Sequence, residues 1–261
     1  MISVIIPTLN DEDYIRECLK CLERQTNRNF ELILVDGGSV DATLKIAREF
    51  NTRTIVTSKG LSHQYNTGVS ISKGEILAFT MADTCVPKDW IEIIEKAFFQ
   101  DARLVALTGP LGIPRNFPLW VKMEYRVWSL IRFLASLMPA ALGMFFASGP
   151  NIACRRFGFK RIGGFDEQRF GSSVNEDGNL GRRLRQIDRC RFSWRLRVVT
   201  IPRWSRLGPI GFTRRYLYIL GNVFPFNMFL PENFWAGLRS RTVIQIERFH
   251  KEYARRKRFQ R

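Results

Sequence analysis

ISVIIPTLNDEDYIRECLKCLERQTNRNFELILVDGGS, from Ile2 to Ser39, is the stretch whose reading decides the fold. Ile2–Pro7 is a short, β-rich apolar run. It breaks at Thr8-Leu9-Asn10-Asp11, and helical spacing then takes over at Tyr14/Ile15, Cys18/Leu19 and Leu22. FELILVD is a second apolar run without alternation, as expected of a strand buried on both faces, and it too stops at a polar cluster, Asp36-Gly37-Gly38-Ser39. Strand, helix and strand with short connections imply a parallel pair with its crossover helix.

Working outward, the alternation continues. DATLKIAREF predicts a helix capped by Ser39 or Asp41, TRTIVTS a third strand, and His63–Ser72 a helix. EILAFTMAD predicts a fourth strand, DWIEIIEKAFFQ a helix and RLVALTG a fifth strand. The expected fold class is α/β, with a mostly parallel central sheet flanked by helices. Ligands of such sheets bind beyond the carboxyl ends of the strands. Those ends here are Pro7–Asp11, Asp36–Ser39, Ser58–Gly60 and Asp83-Thr84, so the polar clusters of this half gather at one edge.

Composition narrows the rest. With 261 residues, 45% hydrophobic and 25% charged, the chain is globular and long enough for a large core. The net charge of +17 is unevenly placed: Met1–Pro150 carries 16 Lys/Arg against 16 Asp/Glu, and Asn151–Arg261 carries 25 against 8. An excess confined to the second part suggests a polyanionic partner. From Phe117 onward apolar and aromatic residues mix with basic ones. The uncharged run Phe133–Ile152 has nearly the length of a membrane span, but Pro139, Gly143, Gly149 and Pro150 interrupt it. A helix lying in the membrane interface, or a buried helix pair, is expected there, with an anionic membrane surface as partner. No RNA-binding motif is recognisable, so nucleic acid is not the expected partner. The start lacks a basic region and meets Asp11 too early for a signal peptide, which points to a cytoplasmic protein, peripheral at the membrane face. Cys18 and Cys21 form a C-x-x-C within a helical pattern, without a second pair or flanking His. They read as helix core positions in a reducing compartment, and not as a metal or redox site.

In order along the chain, VIIPTLND, ELILVDGGSVDAT, the N-x-G of YNTGVSISKGEILAFTMAD, NIACRR, IGGFDE and NEDGNLGRRLR resemble glycosyltransferase family 2, inverting nucleotide-sugar enzymes with a GT-A fold. The resemblance covers Met1 to about Gln186. It implies a GT-A domain over 1–205, with a nucleotide-sugar half (1–110) and an acceptor half (111–205), before a basic, aromatic-rich helical region (206–261). It implies transfer from a UDP- or GDP-sugar, and the basic, aromatic-rich second half points to a membrane-associated acceptor, a polyprenyl phosphate or lipid-linked glycan. Pro7, Thr8, Asn10, Asp11, Asp36 and Gly37 would hold the nucleotide, with Asn66 beside them and Gly164 and Glu176 on the acceptor side. Asp177, of the family's E-D pair, would be the general base, and a helix N-terminus stabilises a carboxylate there.

One position departs from the pattern. Where the family generally shows D-x-D, this chain has Met81-Ala82-Asp83. Asp83 matches the second acid, the one that generally touches Mn²⁺ or Mg²⁺, and a thioether is too soft to stand in for the first. One carboxylate suffices in principle, since these ions complete their shells with phosphate oxygens and water. His63 reads as packed or solvated, and Arg203 or Arg206 as possible pyrophosphate contacts. The competing reading is a catalytically silent protein of this fold that docks membrane or RNA through its basic half.

Overall fold

The computed structural model describes residues 1–115, 117, 119–138, 145–167 and 176–201. Residues 1–201 form one compact unit. The expected 206–261 region, Arg203 and Arg206 lie outside the described residues.

The strands are β1 (Ile2–Thr8), β2 (Phe30–Asp36), β3 (Arg53–Val56), β4 (Ile76–Phe79), β5 (Thr84–Cys85), β6 (Leu104–Thr108), β7 (Leu111–Gly112), β8 (Ile152–Arg155), β9 (Arg189–Phe192) and β10 (Val198–Thr200). The helices are α1 (Ile15–Glu23), α2 (Thr43–Ala47), α3 (Leu61–Ile71), α4 (Trp90–Gln100), α5 (Leu119–Leu137), α6 (Arg156–Arg161) and α7 (Glu176–Arg185). Seven strands make one sheet in the order β3-β2-β1-β4-β8-β6-β9, and β5-β10-β7 make a second. All neighbours in the large sheet are parallel except β8, which runs antiparallel to both β4 and β6. This is the mostly parallel α/β sheet expected.

Apolar residues fill both faces of β1. Ile2, Val4 and Ile6 join α1 and α4 in one core, and Ile5 joins Ile33, Val35, Tyr65, Phe79 and Phe165 in the other. Helix α3 approaches the sheet most closely at Gly68, where a Cβ would fall 2.5 Å from Ile5 Cγ2 and 3.0 Å from Val35 Cγ2. The glycine of the N-x-G motif is therefore a packing requirement.

Three local expectations need correction. The helix expected over Asp41–Phe50 is confined to Thr43–Ala47, and Asp41, not Ser39, receives the Thr43 N–H (2.9 Å). The fourth strand stops at Phe79, short of Asp83. The chain turns there, Thr84 N–H bonding Met81 O at 3.0 Å, before entering the second sheet. Of the C-x-x-C pair, Cys18 is buried as expected, but Cys21 is disulfide-bonded to Cys85. Helix α1 packs on β5 and brings the two Cα atoms to 5.6 Å, a spacing that sequence proximity to Cys18 does not reveal. The argument for a reducing compartment therefore fails for this pair.

A bond closing 64 residues of chain restricts the unfolded state and contributes roughly 2–4 kcal/mol in the chain-entropy view. The expected result is that reductant, or the Cys21→Ser/Cys85→Ser pair, lowers Tm by about 5–15 °C for a domain of this size. Calorimetry with and without reductant checks it, and peptide mapping of unreduced protein should show the two cysteines joined.

Among the described residues no helix is long and apolar enough to cross a membrane.

Candidate active site

Parallel register aligns the strand ends: Thr8 is level with Asp36, and Asp36 with Val56. Because β8 is antiparallel, its beginning lies at this same edge, with Ile152 opposite Phe79 and Thr108. The residues just before it, Gly149 to Asn151, are thereby delivered to the edge where β1 and β2 end.

On the β1–β2 side the loops are fastened to each other. Pro7 is opposite Val35 in the register. Asp36, fully buried, accepts the N–H of Gly38 (2.9 Å) and Ser39 (2.7 Å) on one oxygen and the Ser39 hydroxyl (2.5 Å) on the other. Asp11 accepts the Thr8 hydroxyl (2.9 Å) and the Leu9 N–H (3.1 Å). Asn10, at φ 55°, exchanges bonds with the second loop: its N–H goes to Ser39 Oγ and its Oδ1 accepts the Val40 N–H, each 2.9 Å. Gly37 N–H reaches Thr8 O at 2.8 Å, and Gln64 of α3 donates to Thr8 O (2.9 Å) and Val35 O (2.8 Å). Asp36 is thus both a turn former and a carboxylate at the strand end, as the sequence allowed.

Asn66 is spent on the other side of the site. Its amide donates to Phe165 O (2.9 Å) and Glu167 Oε1 (2.7 Å) and accepts the Phe165 N–H (3.0 Å). This holds the IGGFDE turn onto α3. Gly164 is required there, because φ is +74° and a Cβ would lie 2.8 Å from Asn66 Oδ1. His63 completes the clamp, with one ring nitrogen 3.0 Å from Glu167 Oε2 and the other 2.9 Å from Thr57 Oγ1. The Asn66 amide, and then His63, hold the Glu167 carboxyl below its ordinary range against the opposing effect of burial. His63 is therefore hydrogen-bonded into this clamp and not a merely packed or solvated helix residue.

Asp177 and Tyr65 meet at Gly149. Asp177, in the first turn of α7, accepts the Gly149 N–H on Oδ2 and the Gly178 N–H on Oδ1, both at 2.7 Å. Gly149 also has the Tyr65 hydroxyl beside it, 3.5 Å from its carbonyl oxygen. Tyr65 is buried, stacked on Phe165 with centroids 4.7 Å apart. Burial pushes its phenol well up, and the negative charges of Glu176, Asp177 and Asp83 push in the same direction. Of these acids, Asp177 is tied to the surroundings of the Tyr65 hydroxyl through Gly149.

Asp83 is 9% exposed. Its Oδ1 lies 3.3 Å from the Thr84 hydroxyl and 3.4 Å from the Thr200 hydroxyl, and its carbonyl accepts the Ile201 N–H at 3.0 Å. Among the described residues no three His, Cys, Asp or Glu cluster in a way that could hold a metal. A hard divalent ion at Asp83 would meet oxygen donors and draw the rest of its shell from diphosphate and water, which suits Mg²⁺ or Mn²⁺. Met81 contributes its backbone carbonyl to the turn, accepting from Thr84 N–H and from Cys18 Sγ (3.4 Å), and no ligand.

With this edge in view, comparison settles the ancestry. A model of glycosyl transferase family 2 matches residues 3–163. The chain belongs to that family. Among family 2 relatives, the PGL/p-HBAD biosynthesis glycosyltransferase of Mycobacterium tuberculosis is 44% identical over 90 residues, 32% of this chain and 35% of that protein. Glycosyltransferase GlyA of Streptococcus pneumoniae is 35% identical over 101 residues, 36% of this chain and 14% of its own length. The match thus spans about a third or less of these relatives. Among solved structures, the Pyrobaculum calidifontis mannosyltransferase PcManGT in complex with GDP-Man and Mn²⁺ superposes with TM-score 0.66 at 21% identity, over 92% of this chain and 68% of that one. At that identity the likeness concerns the family 2 fold alone.

Sequence reasoning missed Thr200, Tyr65, Gln64 and Gly149. Thr200 reaches Asp83 through an antiparallel pairing 116 residues away from Thr84, and Tyr65 reads as an ordinary core aromatic.

Proposed function

We propose that the protein is an inverting glycosyltransferase that moves a sugar from a UDP- or GDP-sugar to a membrane-associated acceptor, a polyprenyl phosphate or a lipid-linked glycan. The observation that carries the reading is the Asp177 carboxylate, held by the Gly149 and Gly178 N–H groups at the strand edge where the Asp36 and Asp11 loops end. Family 2 membership supports the reaction class, and the solved relative with GDP-Man and Mn²⁺ supports a nucleotide-sugar donor.

In this reading Pro7 to Asp11, Asp36 and Gly37 receive the base and ribose. The buried Asp36 carboxylate supplies an acceptor for a ring N–H. Asp83, oriented by Thr84 and Thr200, would hold Mn²⁺ or Mg²⁺, which when bound stabilises charge developing on the leaving diphosphate. Asp177 takes the proton of an acceptor hydroxyl as that oxygen attacks C1, the new C1–O bond forming while the bond from C1 to the diphosphate oxygen breaks. Its two backbone donors fix both carboxylate oxygens, so the base is oriented before the acceptor arrives. The Asn66–Glu167–His63 clamp holds the wall beside it.

The test is turnover of a panel of UDP- and GDP-sugars with Mn²⁺, Mg²⁺ or EDTA, with membrane extract as acceptor source. The expected result is release of one nucleoside diphosphate that EDTA suppresses. No release from any donor, together with no nucleotide-sugar binding, would leave a silent scaffold.

A further inference from the structure

Helix α5 carries apolar residues on its outer face as well as its inner one. Positions that face away from the protein are aliphatic: Leu119, Met123, Val127, Leu130, Leu134 and Leu137 are each 47–69% exposed. Their spacing of three or four residues puts them on one stripe running the whole helix. The inward face is mixed, with Val121 (0%) and Ala135 (4%) buried beside Ser129 (3%) and Arg132 (9%), and Glu124 half-buried. A solvated surface helix carries polar residues on its outer face, so a continuous apolar stripe of this length marks a contact surface.

We propose that this stripe is a docking surface for an anionic lipid bilayer, on which α5 lies in the plane of the interface. At 19 residues the helix would cover about 28 Å of membrane surface. It does not qualify as a span, so lying on the bilayer is the mode open to it. The charge pattern selects the occupant. Arg126 is exposed beside the stripe and Lys122 flanks it, while the helix's one acid, Glu124, is turned inward. A second copy would bring a like-charged margin against this one. Anionic headgroups are complementary to the margin, and acyl chains to the stripe. Trp194, 51% exposed, extends the apolar surface through Phe133, whose ring lies 5.5 Å from it, and tryptophan suits the boundary between headgroups and water. Helix α5 packs on β7, β7 pairs with β10, and β10 carries Thr200 to Asp83, so the docking face is joined to the site by paired strands.

The purpose of docking rests on the reading that the acceptor is membrane-borne, but docking itself is tested without sugar transfer. Full-length protein is floated with phosphatidylcholine vesicles, with and without phosphatidylglycerol, beside Leu130→Asp/Leu134→Asp and Arg126→Glu. The wild type is expected to float with the anionic vesicles. The double variant should lose at least about tenfold in vesicle affinity, and Arg126→Glu should show a smaller loss that salt also produces. Melting temperature and nucleotide-sugar binding should stay unchanged, because these side chains face outward. A double variant that floats like the wild type overturns the proposal and places any docking elsewhere. So does a wild type that does not float, or whose dimer the double variant dissolves without changing flotation. None of these outcomes touches the transfer reading, whose failure would appear as absent donor turnover.

Discussion

Asp177→Asn is expected to lower kcat about 10²–10⁴-fold with an acceptor that offers a hydroxyl, the range a positioned general base supplies. Donor affinity should change little, while Tm should fall modestly, because Asn keeps only one of the two oxygens that accept from Gly149 and Gly178 and turns its NH2 toward the other N–H. The size of the loss also distinguishes the two acceptor classes. A glycan hydroxyl must give up its proton as it attacks. A phosphate monoester near neutral pH is already an anion and needs no base. If polyprenyl phosphate is the acceptor, the same substitution should cost far less, with an effect closer to that of removing a positioning contact. Steady-state rates with both acceptor types, for wild type and variant, therefore identify the chemistry and the acceptor together. A variant equally active with every acceptor would remove Asp177 from the mechanism and reduce it to the helix-start acid that holds Gly149.

Much of the architecture was legible because β1 to β4 alternate with their helices along the chain, and β1 with β2 and β2 with β3 pair as neighbours in sequence. The polar residues at Thr8–Asp11 and Asp36–Ser39 had to share an edge once those strands were parallel. Other features depended on pairings that no local pattern carries. The antiparallel insertion of β8 is what brings Gly149 to Asp177, yet NIACRR has the same apolar character whichever way it runs. Strands β5, β7 and β10 have two or three residues each, too few to show a period. The Cys21–Cys85 bond was hidden behind the nearer C-x-x-C spacing, although Cys18 and Cys21 share a helix face only as i and i+3. The apolar stripe of α5 was visible as spacing, but periodicity does not say which face of a helix meets the protein. Only burial shows that Val121, Ser129, Arg132 and Ala135 face inward, which leaves the stripe on the outside.

The departure at Met81 leads to the other large effect. If Asp83 is the protein's metal contact, Asp83→Ala should reduce metal-dependent turnover by about 10²-fold or more, the loss of several kcal/mol of charge stabilisation. It should also abolish Mn²⁺ binding measured by electron paramagnetic resonance in the presence of the nucleoside diphosphate. Met81→Asp should leave turnover unchanged or raise it, since Met81 side-chain chemistry contributes no ligand and the residue is half-buried at a turn made by its own carbonyl. Thr200→Val probes the same site without altering charge. It removes one of two hydroxyls at Asp83 Oδ1, and Mn²⁺ affinity should fall about tenfold, the lower end for a group that orients a ligand, because Thr84 stays in place. A purely structural role for Thr200 would instead lower Tm and leave the affinity unchanged. If Met81→Asp restores Mn²⁺ binding to a wild type that has none, the missing acid disarmed the site. Mn²⁺ binding that depends on Asp83 alone would instead show that one carboxylate, steadied by the Thr84 and Thr200 hydroxyls, is enough.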